Sequence, residues 1–444
     1  MKVIVVGNGG REHTIAWKIA QSAKVETVFC VPGNGGTANE SKCINIDVKN
    51  LDYVKAGENP YVAVAKHEGC ELAVIGPEDP LAEGLADEFW NAGIPCVGPK
   101  KAGAQLEASK DLSKEFMEKY NVACAKSKTF TNQKAAEEYV RQHGAPIVIK
   151  ADGLAAGKGV VVAANVEDAL AAVAELMDSN GRVGAAGSKL VIEDYLQGVE
   201  ISVLAAVNVD PAHPENACII PFLPSRDHKR LMDGAKGPNT GGMGTVCPLD
   251  DVTPEMMAQF QKDCLEPTLK GLVGEGFDYR GFIFFGVMLT KEGPKLLEYN
   301  VRLGDPETQS VLPLMDFDFV EMCQAITDGS LKNFKFSWKK GYQVSPVVVS
   351  GGYPGSYPKG KVITIDEAKV SSTGAKVFVA GAIEDRRNNS NQLITSGGRV
   401  LACSAFGSTF DEAWKNAYTA IEGIHFDGSF YRKDIGLPGA AESN

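Results

Sequence analysis

The chain begins with short β-branched runs that stop at glycine, alternating with stretches whose apolar positions fall three and four apart. Lys2–Val6 is one such run, Gly7–Arg11 is a tight glycine turn, and Glu12–Ala23 predicts a helix with Ile15, Ala16 and Ile19 on one face. Further parallel strands are predicted at Thr27–Val31, Leu72–Ile75 and Ile94–Val97, with a helix over Leu81–Asn91 between the last two. Residues 1–101 therefore read as an open parallel α/β sheet domain.

From Ala102 the pattern changes. A helix is predicted over Leu112–Tyr120, then strands Pro146–Lys150 and Val160–Ala163 around the glycine loop Ala151–Gly159, as an antiparallel hairpin with a mobile tip. Asn165 followed by Asp168 marks an N-cap for the helix Val166–Met177. Strands follow at Leu190–Glu193 and Glu200–Val207, and the glycine- and proline-rich passage Pro221–Pro248 reads as long loop. A helix from about Pro254 and a hairpin, Gly281–Leu289 with Pro294–Tyr299, close a second unit at 102–328, with 123–189 as a mobile lid subdomain inside it. Strands Val344–Val349, Lys376–Ala380 and Arg399–Ala405 and the helix Phe410–Ile424 predict a third, mixed α+β domain at 329–434, and 435–444 reads as a tail.

Composition narrows the function classes. The 444 residues suit about three domains at roughly 150 each, and 44% hydrophobic with 23% charged residues is a globular balance. The net charge of −11, with no basic cluster, argues against a nucleic-acid surface. Ten cysteines without a Cys-x-x-Cys pair argue against zinc and against a disulfide framework. The opening Met-Lys-Val-Ile-Val-Val-Gly falls short of a signal peptide, and no apolar run approaches a membrane span, so a cytoplasmic protein with no membrane partner is expected. The 48 glycines gather in a few loops, where the chemistry is expected.

Gly7-Asn8-Gly9-Gly10-Arg11-Glu12-His13 resembles a dinucleotide fingerprint, but Glu12 occupies the third glycine position and no ribose-binding acid ends the second strand. What survives is a helix start that favours an anion, with Arg11 beside it; a tight turn that only packs helix on sheet fits equally. Lys150 through Gly153, Gly157, Lys158 and Gly159 to Val160 is not a Walker A loop, since no Ser or Thr follows Lys158 and a strand follows the loop. Lysines at a strand end and a hairpin tip suit a lid over polyphosphate.

In the run Leu297 to Arg302, Glu298, Asn300 and Arg302 alternate with Leu297, Tyr299 and Val301, placing three polar groups on one face. Glu298 and Asn300 offer the hard oxygen donors that Mg²⁺ takes, and Arg302 suits a carboxylate or a phosphoryl group. The outer face of an edge strand would alternate in the same way, but the adjoining Gly304-Asp305-Pro306-Glu307 adds charge beside it. Asp227, in the charged stretch Ser225–Arg230, suits an amine, and the glycines of 237–244 allow close approach of a ligand. His13 and His228 lie in charged segments, where a histidine is either an acid–base group or a structural one.

Together the N-terminal glycine turn, Lys150–Val160, Gly237–Gly244 and Arg302–Gln309 resemble the glycinamide ribonucleotide synthetase family, ATP-grasp enzymes of de novo purine synthesis, in order and spacing from residue 1 to about 436. The resemblance implies an ATP-grasp fold and the ATP-dependent coupling of glycine to 5-phosphoribosylamine through a glycyl phosphate. It places ATP phosphates at Lys110, Lys150 and the 153–159 loop, adenine at Glu193, Asp194, Tyr195 and Leu196, and the ribose at Glu200. It places Mg²⁺ or Mn²⁺ at Glu298 and Asn300, and substrate at Gly10, Arg11, Asp227, Lys229, Arg302, Gly304 and Asp305, with Asp227, Lys229 and Arg302 as the catalytic residues. Partners are then small molecules, and a monofunctional monomer is expected. Arg226 departs from the family pattern, where an uncharged residue such as Gln is expected. Another ATP-grasp ligase or carboxylase remains open, since it would keep the lysines and the Glu298/Asn300 pair; a catalytically dead nucleotide sensor would be expected to have lost one of them.

Overall fold

A five-stranded parallel sheet built from the N-terminal runs forms the base of the molecule. The computed structural model describes residues 1–154, 159–178, 181, 183–385 and 392–441. The sheet has the order β3-β2-β1-β4-β5, from β1 (Lys2–Gly7), β2 (Thr27–Pro32), β3 (Cys43–Asn45), β4 (Leu72–Ile75) and β5 (Cys96–Val97). Helix α1 (Gly10–Ala20) starts at the end of β1, and α2 (Pro60–Glu68) precedes β4. The helix expected over 81–91 is two helices, α3 (Glu78–Glu83) and α4 (Leu85–Asn91), because Gly84 at φ 101° takes the left-handed conformation that ends a helix. Helices α5 (Lys101–Ala108) and α6 (Lys110–Tyr120) lead away.

Next comes an antiparallel sheet of order β6-β9-β7-β8, formed by β6 (Ser127–Phe130), β7 (Ile147–Ala151), β8 (Val160–Ala163) and β9 (Leu190–Asp194), with α7 (Gln133–His143) and α8 (Val166–Leu176) packed on it. The expected hairpin pairs Lys150 with Val160, and Asn165 caps α8 by accepting from the Asp168 amide. This unit has its own core around Phe130, Val140, Ile149, Val173 and Ile192, and its sheet runs to Asp194 rather than stopping at 189. Ala123, at its entry, is pinned on both sides. Its N–H donates to the Asp263 carbonyl at 2.9 Å and its carbonyl accepts from Leu296 at 2.7 Å. Pro267 has no N–H to give Asp263, so that helical carbonyl is left for Ala123.

The passage expected to be loop carries strands: β12 (Arg226–Asp227), β13 (Arg230–Met232), β14 (Lys236–Asn239) and β15 (Gly244–Cys247) follow β10 (Val199–Val209) and β11 (Cys218–Pro221). They are too short to show alternation; β13 pairs with β14 and β12 with β15, while β15 also pairs far along the chain, with residues 343–346. The helix predicted near Pro254 is α9 (Pro254–Phe260), continued through a π-helical stretch into α10 (Glu266–Gly274). The long hairpin is β16 (Tyr279–Thr290) with β17 (Gly293–Asn300), in the sheet β11-β10-β16-β17. That sheet shares its core with the N-terminal sheet, Ile4 and Ile75 clustering with Phe285 and Tyr299.

After α11 (Thr308–Val311) and α12 (Phe319–Asp328), the third sheet has the order β12-β15-β18-β23-β20, so two of its strands come from the second unit. Its own strands are β18 (Tyr342–Val349), β20 (Lys376–Val379) and β23 (Arg399–Gly407), joined by the minor β19 (Thr364–Ile365), β21 (Ala382–Glu384) and β22 (Leu393–Thr395). Helices α13 (Glu367–Ser372) and α14 (Phe410–Ile421) complete it. No helix among the described residues is long and apolar enough to cross a membrane.

Candidate active site

A cavity of about 530 Å³ opens where the sheets meet. It gathers Lys110, Lys150, Gly153, Gly159, Glu193, Asp194, Tyr195, Leu196, Glu200, Asp227, Lys229, Glu298, Asn300, Arg302, Asp305 and Arg11 from positions spread over the chain. Gly157 and Lys158 lie outside the described residues. Two expected substrate residues do not line it. Gly10 packs against α11 and the third sheet, where a Cβ would meet Gln309 Nε2 at 2.6 Å and Ala380 at 3.4 Å. Gly304 lies beneath Glu307, where a Cβ would meet its Oε2 at 2.3 Å, so its part is to let that carboxylate fold back.

One end of the cavity is a lysine cluster. Lys150, next to last in β7, is only 6% exposed and sits 2.9 Å from Glu193, which Lys114 also approaches to 3.1 Å. The Glu193 carboxylate thus holds two lysines rather than pointing at a base, and removing it from this buried triad should cost about 3–5 kcal/mol. Burial alone would lower the Lys150 amine, but Glu193 and Glu298 outweigh it and the net shift is upward. Lys110 donates to the Gly153 carbonyl at 2.9 Å, and burial with nearby Lys150 lowers its amine against the pull of Glu298. Lys229 pairs with Glu200, and acids outweigh burial to raise it.

Glu298 faces all three lysines. Burial favours its neutral form, yet Lys229, Lys150 and Lys110 together hold its carboxyl below the usual range, so it is charged. It sits one position past a β-bulge: Val287 pairs with Leu296 but Gly286 with Glu298, which turns Leu297 toward the cavity rather than away from it as simple alternation predicts. The Leu297 carbonyl accepts from Lys150 at 3.2 Å. Among the described residues, no group of three or more His, Cys, Asp or Glu is arranged to hold a metal. One ionised carboxylate with one amide oxygen, Glu298 and Asn300 on the same strand face, nonetheless fits a hard cation that completes its shell with phosphate and water.

The other end is an arginine–acid network. Arg302 contacts Glu107 at 2.8 Å, Glu78 at 3.3 Å and the Asn300 amide oxygen at 3.0 Å. Arg11 is enclosed: its Nε meets Glu12 at 2.5 Å, its guanidinium donates to the Leu303 carbonyl at 3.1 Å, and Glu78 lies at 3.7 Å. Glu12 also accepts from the Gly9 amide at 2.6 Å, so the helix start expected to favour a ligand anion already holds the protein's own carboxylate. Arg399 lies 3.3 Å from Asp305. Asp227, placed by the β12–β15 pairing, has a buried Oδ1 with no hydrogen-bond partner among the described residues. Burial and the charge of Glu307 push its carboxyl well above the usual range, and burial raises Glu307 as well.

The histidines settle as structural. His228 Nδ1 donates to the Gly244 carbonyl and Nε2 accepts from the Gly436 amide, both at 3.0 Å, and burial lowers it to about 4. His13 accepts from the Val379 amide at 2.8 Å, meets Glu40 at 3.0 Å, and is likewise lowered by burial. Arg226 reaches Asp251 at 2.8 Å and the Glu200 carbonyl at 3.3 Å, which ties down its charge.

Sequence reasoning missed Glu78, Glu107, Lys114, Glu307 and Arg399 as lining residues. Glu78 follows the carboxyl end of a parallel strand, where open α/β sheets bind ligands, and Lys114 is one helical turn from Lys110. Glu307 stood in the quoted charged string, whereas nothing local marks Glu107 or Arg399.

Models of three phosphoribosylglycinamide synthetase domains match the chain: the N domain over residues 1–107, the ATP-grasp (A) domain over 108–308 and the C domain over 343–438. The phosphoribosylamine–glycine ligase of Clostridium acetobutylicum is 47% identical, with 98% of this chain and 99% of that protein covered, and the ligase of Nostoc sp. is 45% identical at the same coverage. The crystal structure of phosphoribosylamine–glycine ligase from Thermotoga maritima matches with a TM-score of 0.80 at 33% identity, over 98% of this chain and 100% of that one. A biotin carboxylase domain from Hydrogenobacter thermophilus, solved with MgADP, shares the fold at a TM-score of 0.68 and 17% identity, over 97% of this chain and 91% of that one. Likeness of this extent runs through every sheet that builds the cavity, and the chain belongs to the phosphoribosylglycinamide synthetase family.

Proposed function

We propose that the chain ligates glycine to 5-phosphoribosylamine, converting ATP to ADP and phosphate. The observation that carries this reading is the two-ended cavity, with Lys110, Lys150 and Lys229 around Glu298 at one end and Arg302, Asp305 and Asp227 at the other. A carboxylate is a poor electrophile. One glycine carboxylate oxygen therefore attacks the γ-phosphorus while the bond to the β–γ bridging oxygen breaks and ADP leaves. The amine nitrogen of phosphoribosylamine then attacks the carbonyl carbon, and phosphate departs with that carboxylate oxygen.

Positioning and charge neutralisation supply most of the rate. Lys110 and Lys150, with the Gly153–Gly159 loop, neutralise ATP phosphates; the Glu193–Leu196 segment flanks adenine and Glu200 takes ribose hydroxyls. Glu298 and Asn300 hold Mg²⁺ or Mn²⁺, which when bound supplies positive charge to the phosphate oxygens. Lys229 and Arg302 neutralise the transferring group and the glycine carboxylate. Asp227, raised but beside Lys229, suits an ammonium or accepts a proton from the attacking amine. Asp305 and Arg11 border the phosphoribosyl end. A monomer in the cytoplasm is the expected form. Glycine labelled with ¹⁸O in both carboxylate oxygens tests the order of events. One label should appear in the released phosphate; phosphate without label would rule out a glycyl phosphate.

A further inference from the structure

The third domain reaches the Asp305 end of the cavity through Arg399. Arg399 opens β23 and lines the cavity, and Tyr353 lies just beyond β18. Between them they take both backbone groups of Gly241, itself a lining residue. The Gly241 N–H donates to the Tyr353 hydroxyl at 2.9 Å. The Arg399 guanidinium donates to the Gly241 carbonyl and, at 2.8 Å, to the Asp305 carbonyl, while its other arm lies 3.3 Å from Asp305 Oδ1. A Cβ on Gly241 would fall 3.2 Å from Arg399 Cζ and 3.3 Å from the Tyr353 hydroxyl, so the clamp is closed.

The next residue carries the effect onward. Gly242 has φ 116°, and a Cβ there would stand 2.5 Å from Asp227 Oδ1, the oxygen that lacks a hydrogen-bond partner among the described residues. Wherever the Gly241–Gly242 turn is fixed, the free edge of Asp227 is fixed with it. Arg399 also acts by charge: it draws Asp227 downward against burial and Glu307, and its own guanidinium is raised by Asp305, Asp227 and Glu307 against burial.

We propose that Arg399 and Tyr353 are positioning residues, by which the third domain sets Asp227 and Asp305 for the two substrates other than ATP. This rests on the activity proposed above. A contact serving only to dock the domain would need any surface acid; Arg399 instead uses Gly241 and Asp305, both on the cavity wall.

Steady-state kinetics and thermal melts of the full chain test it. Misplacement of about 1 Å at such a site costs up to about a hundredfold, so Arg399→Ala should raise the KM for glycine or phosphoribosylamine at least about tenfold and lower kcat, leaving the KM for ATP within about twofold. Arg399→Lys should recover part of the loss, since it keeps the charge but not the fork. Tyr353→Phe removes a single hydroxyl, and should shift the same KM by a few-fold with an unchanged melting temperature. The proposal is overturned if folded Arg399→Ala keeps wild-type constants, or if the ATP term rises as much as the others. Should Arg399→Ala fail to fold, Tyr353→Phe decides alone, and wild-type KM values there overturn it. A wild-type chain with no glycine-dependent turnover would instead bring down the activity itself.

Discussion

Glu298 and His228 show how burial sorts two titratable groups into opposite tasks. Glu298 stays ionised because three lysines outweigh its burial, while His228 stays neutral because burial and the nearby Arg432 charge lower it and its Nε2 accepts from the Gly436 amide. Glu298→Gln keeps the shape but loses the charge that holds a hard cation against water; kcat should fall by at least about a hundredfold, and raised Mg²⁺ should recover part of it. Calorimetry should show weaker binding of ATP with Mg²⁺, and an unchanged Mg²⁺ dependence would return Glu298 to a structural part. For His228, a folded-state value of about 4 lies below the ordinary 6.5, so its contribution to stability is complete above about pH 6.5 and lost as pH falls toward 4. The loss is on the order of 3 kcal/mol. The melting-temperature advantage of wild type over His228→Asn should therefore shrink between pH 7.5 and pH 5; an advantage independent of pH would show that His228 does not resist protonation. These two assignments differed in how far the sequence carried them. Alternation alone put Glu298 and Asn300 on one face, whereas the fate of His228 depended on Gly436, far along the chain.

Elements with strong local signals were readable, and those defined by distant partners were not. The strand Leu72–Ile75 and the hairpin of β7 and β8 follow from β-branched runs bounded by turns, but the bulge at Leu297 and the short strands within 221–248 depend on which strand lies beside them. Helix α6 shows the same contrast within one element. Its N-cap, Ser109, bonds the Asp152 carboxylate at 3.2 Å, and Asp111 meets Lys189 at 2.6 Å, so the start of the helix is fastened to the base of the β7–β8 loop. We expect the unit from β6 to β9, which has a separate core and a pinned entry at Ala123, to close as a body and exclude water from an acyl phosphate. Hydrogen exchange should show the amides of the β7–β8 hairpin protected by ATP with Mg²⁺. Exchange unchanged at saturating nucleotide would contradict a closing lid.

On the scale of the whole molecule, the cavity exists only because four sheets meet. The N-terminal sheet contributes Arg11 and Glu78, the β6–β9 sheet Lys150 and Glu193, the central hairpin Glu298 and Asn300, and the third sheet Asp227 and Arg399, and the pairs Arg302–Glu78 and Arg399–Asp305 join the segment after the hairpin to the N-terminal and third sheets. The motifs, through the family they resemble, placed the chain among the ATP-grasp ligases, but the long-range pairs of Arg302 with Glu78 and Glu107 and of Arg399 with Asp305 appear only once the chain is folded. The most direct measurement is ADP release with phosphoribosylamine generated in situ, omitting one component at a time. Turnover is expected only when ATP, glycine and phosphoribosylamine are all present. Turnover that persists without glycine, or with bicarbonate in its place, would contradict it and point to another ATP-grasp ligase or a carboxylase.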